Sequence, residues 1–235
     1  MSKSEAPAKK SDLTRERLYK AALKMIARKG YDATTMRAIA AEAGVAPGAT
    51  YYYFDSKEAL VNEYYKQSHV DHMLAMEGFF ANEDEFAKRL HRTITSKIET
   101  ALPYKNMARA LYRVAANPES PLSPFSDNSK ELRLQSLSIF RGVVEGAKEK
   151  FNPELKVILP EYLWMYQMGI ILFWIYDQSK NSRRTFELID QTVPVIESAY
   201  LMIQSPLATP FRGKILRLLK TFVPDLSTTR AKEEL

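Results

Sequence analysis

The sequence contains no cysteine and little histidine. None of its 235 residues is Cys and three are His. The chain therefore cannot form a disulfide, a cysteine-ligated zinc site or a thiol nucleophile. No serine–histidine–acid set, phosphate loop or pair of carboxylates indicates catalysis. His69, Asp71 and His72 lie close together along the chain, but two histidines and one carboxylate are a weak metal-site pattern. We expect neither metal nor cofactor, and no enzyme activity.

The sequence also lacks an N-terminal apolar run of the kind found in signal peptides. Its most apolar window is residues 162–176, YLWMYQMGIILFWIY, which includes Gln167 and is followed by Asp177. A membrane span needs about 20 apolar residues. We therefore expect this window to form a buried or interface helix, with no membrane partner, in a cytoplasmic protein.

Positive charge is concentrated at the start of the chain. The net charge is +6 and the pI is about 9.3. The first 30 residues hold nine Lys or Arg against three Asp or Glu, an excess as large as that of the whole chain. Residues 1–11, MSKSEAPAKKS, are polar and without periodicity, which predicts a disordered basic arm. This distribution suits an anionic partner such as a nucleic acid.

Apolar residues recur at helical spacing throughout the chain, and no segment alternates like a strand, so the sequence predicts an all-α fold. The first helix begins at Asp12 and buries Leu18, Ala22, Met25 and Ile26, and Gly30 ends it in a left-handed conformation. Further helices are predicted at 36–43, 47–54, 57–80, 83–101, 104–116, 128–150, 160–179, 183–203 and 208–221. The last of these is basic and amphipathic, which suits docking on the protein, on a membrane surface or on a partner.

Residues 36–54 have the order of a helix-turn-helix motif. Ala40 is small where two helices must cross closely, and Gly44 can adopt the positive φ of a tight turn. Ile39 and Val45 supply the apolar contacts on which the pair would rest. Such a motif places its second helix in the DNA major groove, with N-terminal residues at the base edges.

The second helix of this motif, PGATYYY, begins with small residues. Pro47 suits the first helical position, where its missing N–H costs nothing. Gly48 and Ala49 would let the backbone approach the bases, and Thr50 or the Ala49 methyl could contact a thymine methyl. We therefore expect Gly48, Ala49 and Thr50 at the DNA.

Three consecutive tyrosines follow and cannot all be buried on one face of a helix. We expect two of Tyr51, Tyr52 and Tyr53 to be exposed, with hydroxyls that bind phosphates and fix the register on the duplex. Phe54 should point into the core. Lys57, at the start of the next helix, would add a positive charge beside the same phosphates.

Residues 14–60, TRERLYKAALKMIARKGYDATTMRAIAAEAGVAPGATYYYFDSKEAL, resemble the N-terminal domain of the TetR family of bacterial transcriptional regulators. The resemblance lies in KGY at the end of the first helix, ATT before the second, the IA…AGV core, the YxxF block and SKEAL. It implies a homodimeric repressor that binds a palindromic operator and is released by a small molecule. Residues 12–56 would bind DNA, and residues 57–235, with helix 57–80 as connector, would bind the ligand and dimerise.

The same resemblance identifies the residues expected at the DNA, which are Thr35, Arg37, Gly48, Ala49, Tyr51, Tyr52, Tyr53 and Lys57. Arg37 is open to a second interpretation as a solvated charge. Two positions depart from the family pattern. Ala46 stands where the family often has Ser, which removes an N-cap worth about 1 kcal/mol. Pro47 stands where Lys or Arg is frequent, which removes a base-reading donor.

The C-terminal half should hold the dimer interface, through helices 160–179 and 183–203 in a four-helix bundle. A largely apolar effector would contact methionine and aromatic side chains that could equally be core residues: Met107, Leu111, Tyr112, Phe140, Met165, Tyr166, Met168 and Phe173. Arg109, Arg113 and Gln167 could anchor it. Two alternatives remain, a DNA-binding protein without a small-molecule effector and an all-α enzyme or carrier with a vestigial helix-turn-helix.

Overall fold

The computed structural model of the chain describes residues 10–222, and within that range every regular element is a helix. The prediction of an all-α fold is confirmed. The described α-helices are α1 (Lys10–Lys29), α2 (Met36–Ala43), α3 (Pro47–Tyr53), α4 (Lys57–Ala75), α5 (Phe79–Asn82), α6 (Phe86–Ala101), α7 (Lys105–Ala115), α8 (Lys130–Glu145), α9 (Pro153–Tyr176), α10 (Arg183–Gln204) and α11 (Thr209–Phe222). The predicted basic arm lies outside the described residues, except that α1 already begins at Lys10.

Three predicted helices differ most from the structure, one of them the helix expected at 128–150, which spans Lys130–Glu145. The helix expected at 160–179 begins at Pro153, because Asn152 accepts hydrogen bonds from the N–H groups of Glu154 and Leu155 and caps it. Pro160 lies inside this helix, where it removes one backbone hydrogen bond but stays buried among apolar neighbours. The helix expected at 57–80 ends at Ala75, and Gly78, with φ of +73°, separates it from α5.

The chain forms two compact units. The first, here called the head unit, consists of residues 1–65 and 104–123, and the second, the body unit, consists of residues 66–103 and 124–235. This division differs from the predicted boundary after residue 56. The first two turns of α4 belong to the head unit, and so does α7, which packs on α1.

The head unit has two clusters of buried apolar side chains. One joins α1 to the helix-turn-helix segment and contains three of the four residues predicted to be buried on α1, Leu18, Ala22 and Met25, together with Ala21, Ile39, Phe54 and Leu60. The other joins α1, α4 and α7: Ile26, Tyr31, Val61, Tyr64, Met107, Leu111 and Leu122. Each fully buried side chain of this size stabilises the fold by about 1.5–3 kcal/mol, so the helix-turn-helix is held on a packed base.

The body unit packs α8 against α9, α6 against α8 and α10, and α11 against α9 and α10. Its buried side chains include Phe86, Phe140, Trp164, Trp174 and Ile189. By length and composition alone, α9 also qualifies as a membrane span, and half of the qualifying window is buried inside the protein. A core helix of a soluble protein gives the same pattern.

Candidate nucleic-acid interface

The turn between α2 and α3 has the geometry that the helix-turn-helix prediction requires. Gly44 adopts φ 63° and ψ 39°, in the left-handed region. Its N–H donates to the Ala41 carbonyl at 3.1 Å, and the Val45 N–H donates to the Ala40 carbonyl at 2.9 Å. These two bonds form a Schellman motif, which ends a helix and turns the chain sharply.

Arg17 of α1 donates hydrogen bonds to the backbone carbonyls of this turn. Its Nε donates to the Ala43 carbonyl at 3.1 Å and its Nη2 to the Gly44 carbonyl at 3.0 Å. The carbonyls at the end of α2 are thus satisfied by a guanidinium, which also carries a favourable charge for a helix C-terminus. Sequence reasoning missed this role, because Arg17 is one of several basic residues on α1 and nothing local distinguishes it.

The start of α2 is fixed by two threonines with different roles. The Thr35 hydroxyl accepts a hydrogen bond from the Ala38 N–H at 3.2 Å and caps the helix. The buried Thr34 donates instead to the Gly30 carbonyl at 2.8 Å. Thr35 is exposed, so its O–H can still donate to a phosphate while its oxygen serves as the cap.

The aromatic run on α3 is divided between surface and core. Tyr52 is 82% exposed and Tyr51 is 56% exposed. Tyr53 is half-buried on the head core and meets the Tyr52 ring edge-to-face at 5.1 Å. Phe54 is buried. The prediction that two of the three tyrosines are exposed is therefore confirmed, as is the inward position of Phe54.

The expected DNA contact of Thr50 is not supported by its position. Its side chain is 0% exposed, and its hydroxyl has no hydrogen-bond partner among residues 10–222. A side chain in this position cannot contact a thymine methyl, so Thr50 belongs to the core of the motif rather than to its DNA-facing surface. Phe54 lies four residues later, on the same face of α3.

The N-terminal end of α3 is small and open. Ala46, Pro47, Gly48 and Ala49 are exposed. A Cβ added to Gly48 would meet no atom within 4 Å, so nothing in the protein itself requires a glycine there. As expected from its sequence, Ala46 gives α3 no side-chain cap.

Lys57 points into the head unit. Its Nζ donates to the carbonyls of Tyr31 at 2.7 Å and Thr34 at 2.9 Å, and it lies 3.8 Å from the centre of the Tyr31 ring. The Tyr31 hydroxyl donates to the Glu58 carboxylate, and burial, followed by this bond, raises the pKa of Tyr31. Lys57 thus ties α4 to the loop before α2, and only its third N–H is left for the predicted phosphate contact.

Much of the positive charge on α1 is neutralised locally. Three ion pairs do this: Arg15 with Glu63 at 3.0 Å, Lys20 with Glu16 at 2.6 Å and Lys24 with Glu42 at 2.6 Å. Arg37 is exposed and forms no ion pair with any residue in 10–222. Since α3 carries no charged residue, its surface presents hydroxyls and small side chains.

The predicted effector residues fall in both units. Met107 and Leu111 are buried in the second core cluster of the head unit, and Tyr112 belongs to the same unit. Met107 and Leu111 thus serve the packing of α7 on α1, and their role at an effector stays a prediction. Arg109 and Arg113 lie on the same helix.

The remaining candidates lie in the body unit. Phe140 is buried, Met168 and Phe173 are half-buried, and Met165 is exposed. The Tyr166 hydroxyl shares a hydrogen bond with Thr192 at 2.6 Å. A surface groove of about 440 Å³ in this unit is lined by other residues: Glu154, Gly213, Arg217, Lys220 and Thr221.

Gln167 has the most informative environment among the predicted polar anchors. It is buried on α9, and its Oε1 has no hydrogen-bond partner within the part of the chain that the structure describes. Buried acceptors are almost always satisfied by protein or water, so this oxygen is available to a donor. Among residues 10–222, no group of three or more His, Cys, Asp or Glu is arranged to hold a metal ion.

Two family models match the chain in the order that the structure shows. Residues 18–64 match bacterial regulatory proteins of the tetR family, and residues 89–211, just over half of the chain, match the tetracyclin repressor-like C-terminal domain. The chain belongs to the TetR family. It is therefore a DNA-binding transcriptional regulator, and the helix-turn-helix is its DNA-binding motif.

A curated relative of this TetR-family chain is an uncharacterised helix-turn-helix transcriptional regulator of Bacillus subtilis, YerO. The two are 47% identical over 47 residues, which are 20% of this chain and 16% of that protein. The chain thus matches less than a fifth of its relative's length.

Several solved structures share the fold. The TetR regulator from Nitrosomonas europaea is 17% identical, with a TM-score of 0.58 over 77% of this chain and 96% of that one. FadR from Bacillus halodurans is 17% identical, with a TM-score of 0.63 over 81% and 96%. FadR from Bacillus subtilis, in complex with stearoyl-CoA, is 20% identical, with a TM-score of 0.59 over 74% and 96%. At these identities the likeness concerns the fold.

Proposed function

We propose that this TetR-family regulator is a ligand-responsive repressor that binds a palindromic operator as a homodimer. The observation that carries the proposal is the surface of α3, where Tyr51 and Tyr52 are exposed beside Gly48 and Ala49 on a rigidly held helix. Exposed aromatic side chains on so short a helix are costly unless a partner covers them.

In this proposal the tyrosines position the protein and the small residues read the DNA. The hydroxyls of Tyr51 and Tyr52 donate to phosphates, with Tyr53 supporting the Tyr52 ring. Gly48 and Ala49 approach the base edges. Thr35 and Arg37, at the exposed start of α2, contact the backbone on the other side of the groove.

The body unit supports dimerisation through α9 and α10. One outer face of α9 carries Met165, Gly169, Leu172 and Tyr176 at spacings of four, three and four residues. A Cβ on Gly169 would meet no atom within 4 Å, so a partner helix can approach closely there. On α10, the exposed Val195, Ala199 and Met202 repeat the pattern.

Two copies joined through these faces form a four-helix bundle. Their recognition helices then reach two half-sites about 34–36 Å apart, one turn of DNA. A twofold dimer requires a palindromic operator for the same reason.

The effector is a largely apolar molecule held by the body unit. The unpartnered Gln167 oxygen supports a ligand that carries an N–H or O–H donor. FadR from Bacillus subtilis, with a similar fold, binds stearoyl-CoA, which supports a ligand with a long apolar part here. The effector releases DNA by favouring a tilt of α4 that changes the half-site separation. It can do so only to the extent that it binds that conformation more tightly.

The protein acts in the cytoplasm as a regulator rather than as an enzyme. Selection of bound fragments from the genome that encodes it tests the proposal. We expect recovered fragments to contain a palindrome and to bind two copies of the chain, as measured by sedimentation velocity. A monomeric protein that retains no fragment at low salt would contradict the proposal.

A further inference from the structure

Lys97 of α6 is a half-buried lysine without a carboxylate partner. Its Nζ donates to the Ser68 hydroxyl at 2.9 Å and lies 3.3 Å from the Ser68 carbonyl, both on α4. Within residues 10–222, no ion pair joins Lys97 to an acidic side chain. The nearby Asp71 carboxylate accepts instead from the Gln67 amide at 2.8 Å.

Asp71 favours the charged form of Lys97, but among residues 10–222 no neighbouring titratable group forms an ion pair with it. His72 is 2% exposed, and its Nε2–H donates to the Thr93 carbonyl at 2.9 Å. Burial and the charge of Lys97 lower the pKa of His72 to about 3, and the same two causes lower the pKa of His69. Both histidines are therefore neutral near pH 7. Arg92 is occupied by Glu99 at 2.8 Å.

An ammonium that forms no ion pair in this position lowers the stability of the folded protein. Burial lowers the pKa of Lys97 to about 8, and Asp71 opposes the shift, so most molecules still carry the charge near pH 7. Buried charges are normally paired, because desolvation without a partner is expensive. An apolar side chain of similar length would fill the same space without that cost.

We propose that Lys97 and Ser68 hold the carboxylate of an anionic effector at the contact of α4 with α6 in the body unit. The proposal rests on the ligand-responsive function proposed above and adds the chemistry of the ligand. The ammonium supplies a charge-assisted hydrogen bond and the Ser68 hydroxyl a second donor.

The position of this site links it to the connector helix. Ser68 lies three residues beyond Tyr65, the last residue of α4 that belongs to the head unit. A carboxylate on Lys97 takes N–H groups that now bind the Ser68 hydroxyl and carbonyl. Ligand binding therefore replaces a contact between α6 and α4 at the point where α4 leaves the body unit.

The test compares probes that differ only in the charge of the head group. Octanoate, octanol and octylamine form one set, and benzoate, benzyl alcohol and benzylamine form another. We expect at least one carboxylate to raise the melting temperature of the full-length protein and to weaken operator binding, while its alcohol and amine do neither. Lys97→Met should reduce carboxylate affinity at least tenfold, whereas Lys97→Arg should retain part of it.

Lys88→Met is the matched control, because Lys88 is an exposed lysine on the same helix, and it should leave carboxylate binding unchanged. Lys97→Met removes a desolvated charge and should fold. Operator binding without any probe is measured for wild type and for Lys97→Met, and this measurement separates the two proposals. If neither protein binds the operator, the proposed function is contradicted, whereas the carboxylate site is judged from probe binding. Equal carboxylate binding by wild type and Lys97→Met, equal binding of alcohol and carboxylate, or no response to either carboxylate would overturn the site.

A second readout follows the amine itself. Reductive ¹³C-methylation gives each lysine an NMR signal, and the Lys97 signal is identified by its loss in Lys97→Met. A bound carboxylate stabilises the charged form, so the titration of this signal should move to higher pH when the binding probe is added. An unchanged titration would overturn the site.

Discussion

The head unit and the body unit are stabilised in different ways. In the head unit, directed polar contacts fix each joint: the Schellman turn at Gly44, the Arg17 guanidinium beneath it and the Lys57 ammonium between α4 and the preceding loop. In the body unit, long helices bury a core but leave apolar faces on α9 and α10 exposed. Each unit also holds a buried side-chain oxygen without a hydrogen-bond partner among residues 10–222, Thr50 Oγ1 in the head unit and Gln167 Oε1 in the body unit. The polar contacts of the head unit fix the helix-turn-helix, whereas the exposed apolar faces of the body unit are the ones that the proposed dimer would cover.

The largest expected effect comes from the exposed face of α10. Met202→Asp places a charge in the proposed dimer interface, where it would be desolvated without a partner. We expect a monomer and a loss of operator affinity of about 100-fold or more, because one copy holds only one half-site. Sedimentation velocity and fluorescence anisotropy measure the two effects.

Leu74→Asp is the matched control for this substitution. Leu74 is an equally exposed apolar residue on α4 of the body unit, outside the proposed bundle. It should leave the protein dimeric. A dimeric Met202→Asp protein would show that this face of α10 does not form the dimer interface.

The next largest effects are expected from substitutions of two glycines in the head unit, Gly44 and Gly48. Gly44→Ala forces a side chain into the left-handed region and towards Arg17 Nη2 at 3.4 Å, so it should lower the free energy of unfolding by about 1–2 kcal/mol. Gly48→Ala has open space and should raise it by about 0.5–1 kcal/mol, yet should weaken operator binding by obstructing the approach to the bases. Urea unfolding and anisotropy together separate the two. Tighter DNA binding by Gly48→Ala would argue against that approach.

A smaller effect is expected at Thr50. Thr50→Val removes a buried hydroxyl without a partner at nearly constant volume, so it should stabilise the protein by about 1 kcal/mol. Operator affinity should not change, because the side chain is in the core. Weaker and less selective DNA binding by a stably folded Thr50→Val protein would indicate that the Thr50 side chain contacts DNA.

The smallest effect concerns pH. The folded pKa of Lys97, about 8, lies below the ordinary lysine value of 10.5, so between these values the unfolded chain holds more protons and the stability of wild type rises with pH. Lys97→Met lacks this contribution. Its stability advantage over wild type should therefore be largest below pH 8 and shrink towards pH 10.5, as measured by urea unfolding at each pH. A constant difference would mean that Lys97 is not desolvated.

The local features of the head unit could be predicted from sequence, because each depends on neighbours in the chain. Gly44, the Thr35 cap and the division of the tyrosines are of this kind. Thr50 was misassigned although the signal was present, since Phe54 was expected to point inward and lies four residues later on the same helical face.

The errors in the rest of the chain concern long-range pairing. The apolar face of Met107 and Leu111 is visible in the sequence, but helical periodicity does not say which helix covers it. The roles of Arg17 and Lys57 inside the head unit were not predicted, because their partners there are backbone carbonyls distant in sequence. The predicted start at residue 160 was wrong because Pro160 is accommodated inside α9, where a proline is disfavoured by local rules alone.

The proposed DNA contact is that α3, which carries no charged residue, binds the DNA backbone through the hydroxyls of Tyr51 and Tyr52. The most direct test is the operator affinity of the double variant Tyr51→Phe, Tyr52→Phe, measured by anisotropy at several salt concentrations on the selected operator and on a scrambled duplex. Removing two neutral donors should weaken both complexes by a similar factor, on the order of 10–100, with the salt dependence unchanged. Unchanged affinity for both duplexes would contradict the account.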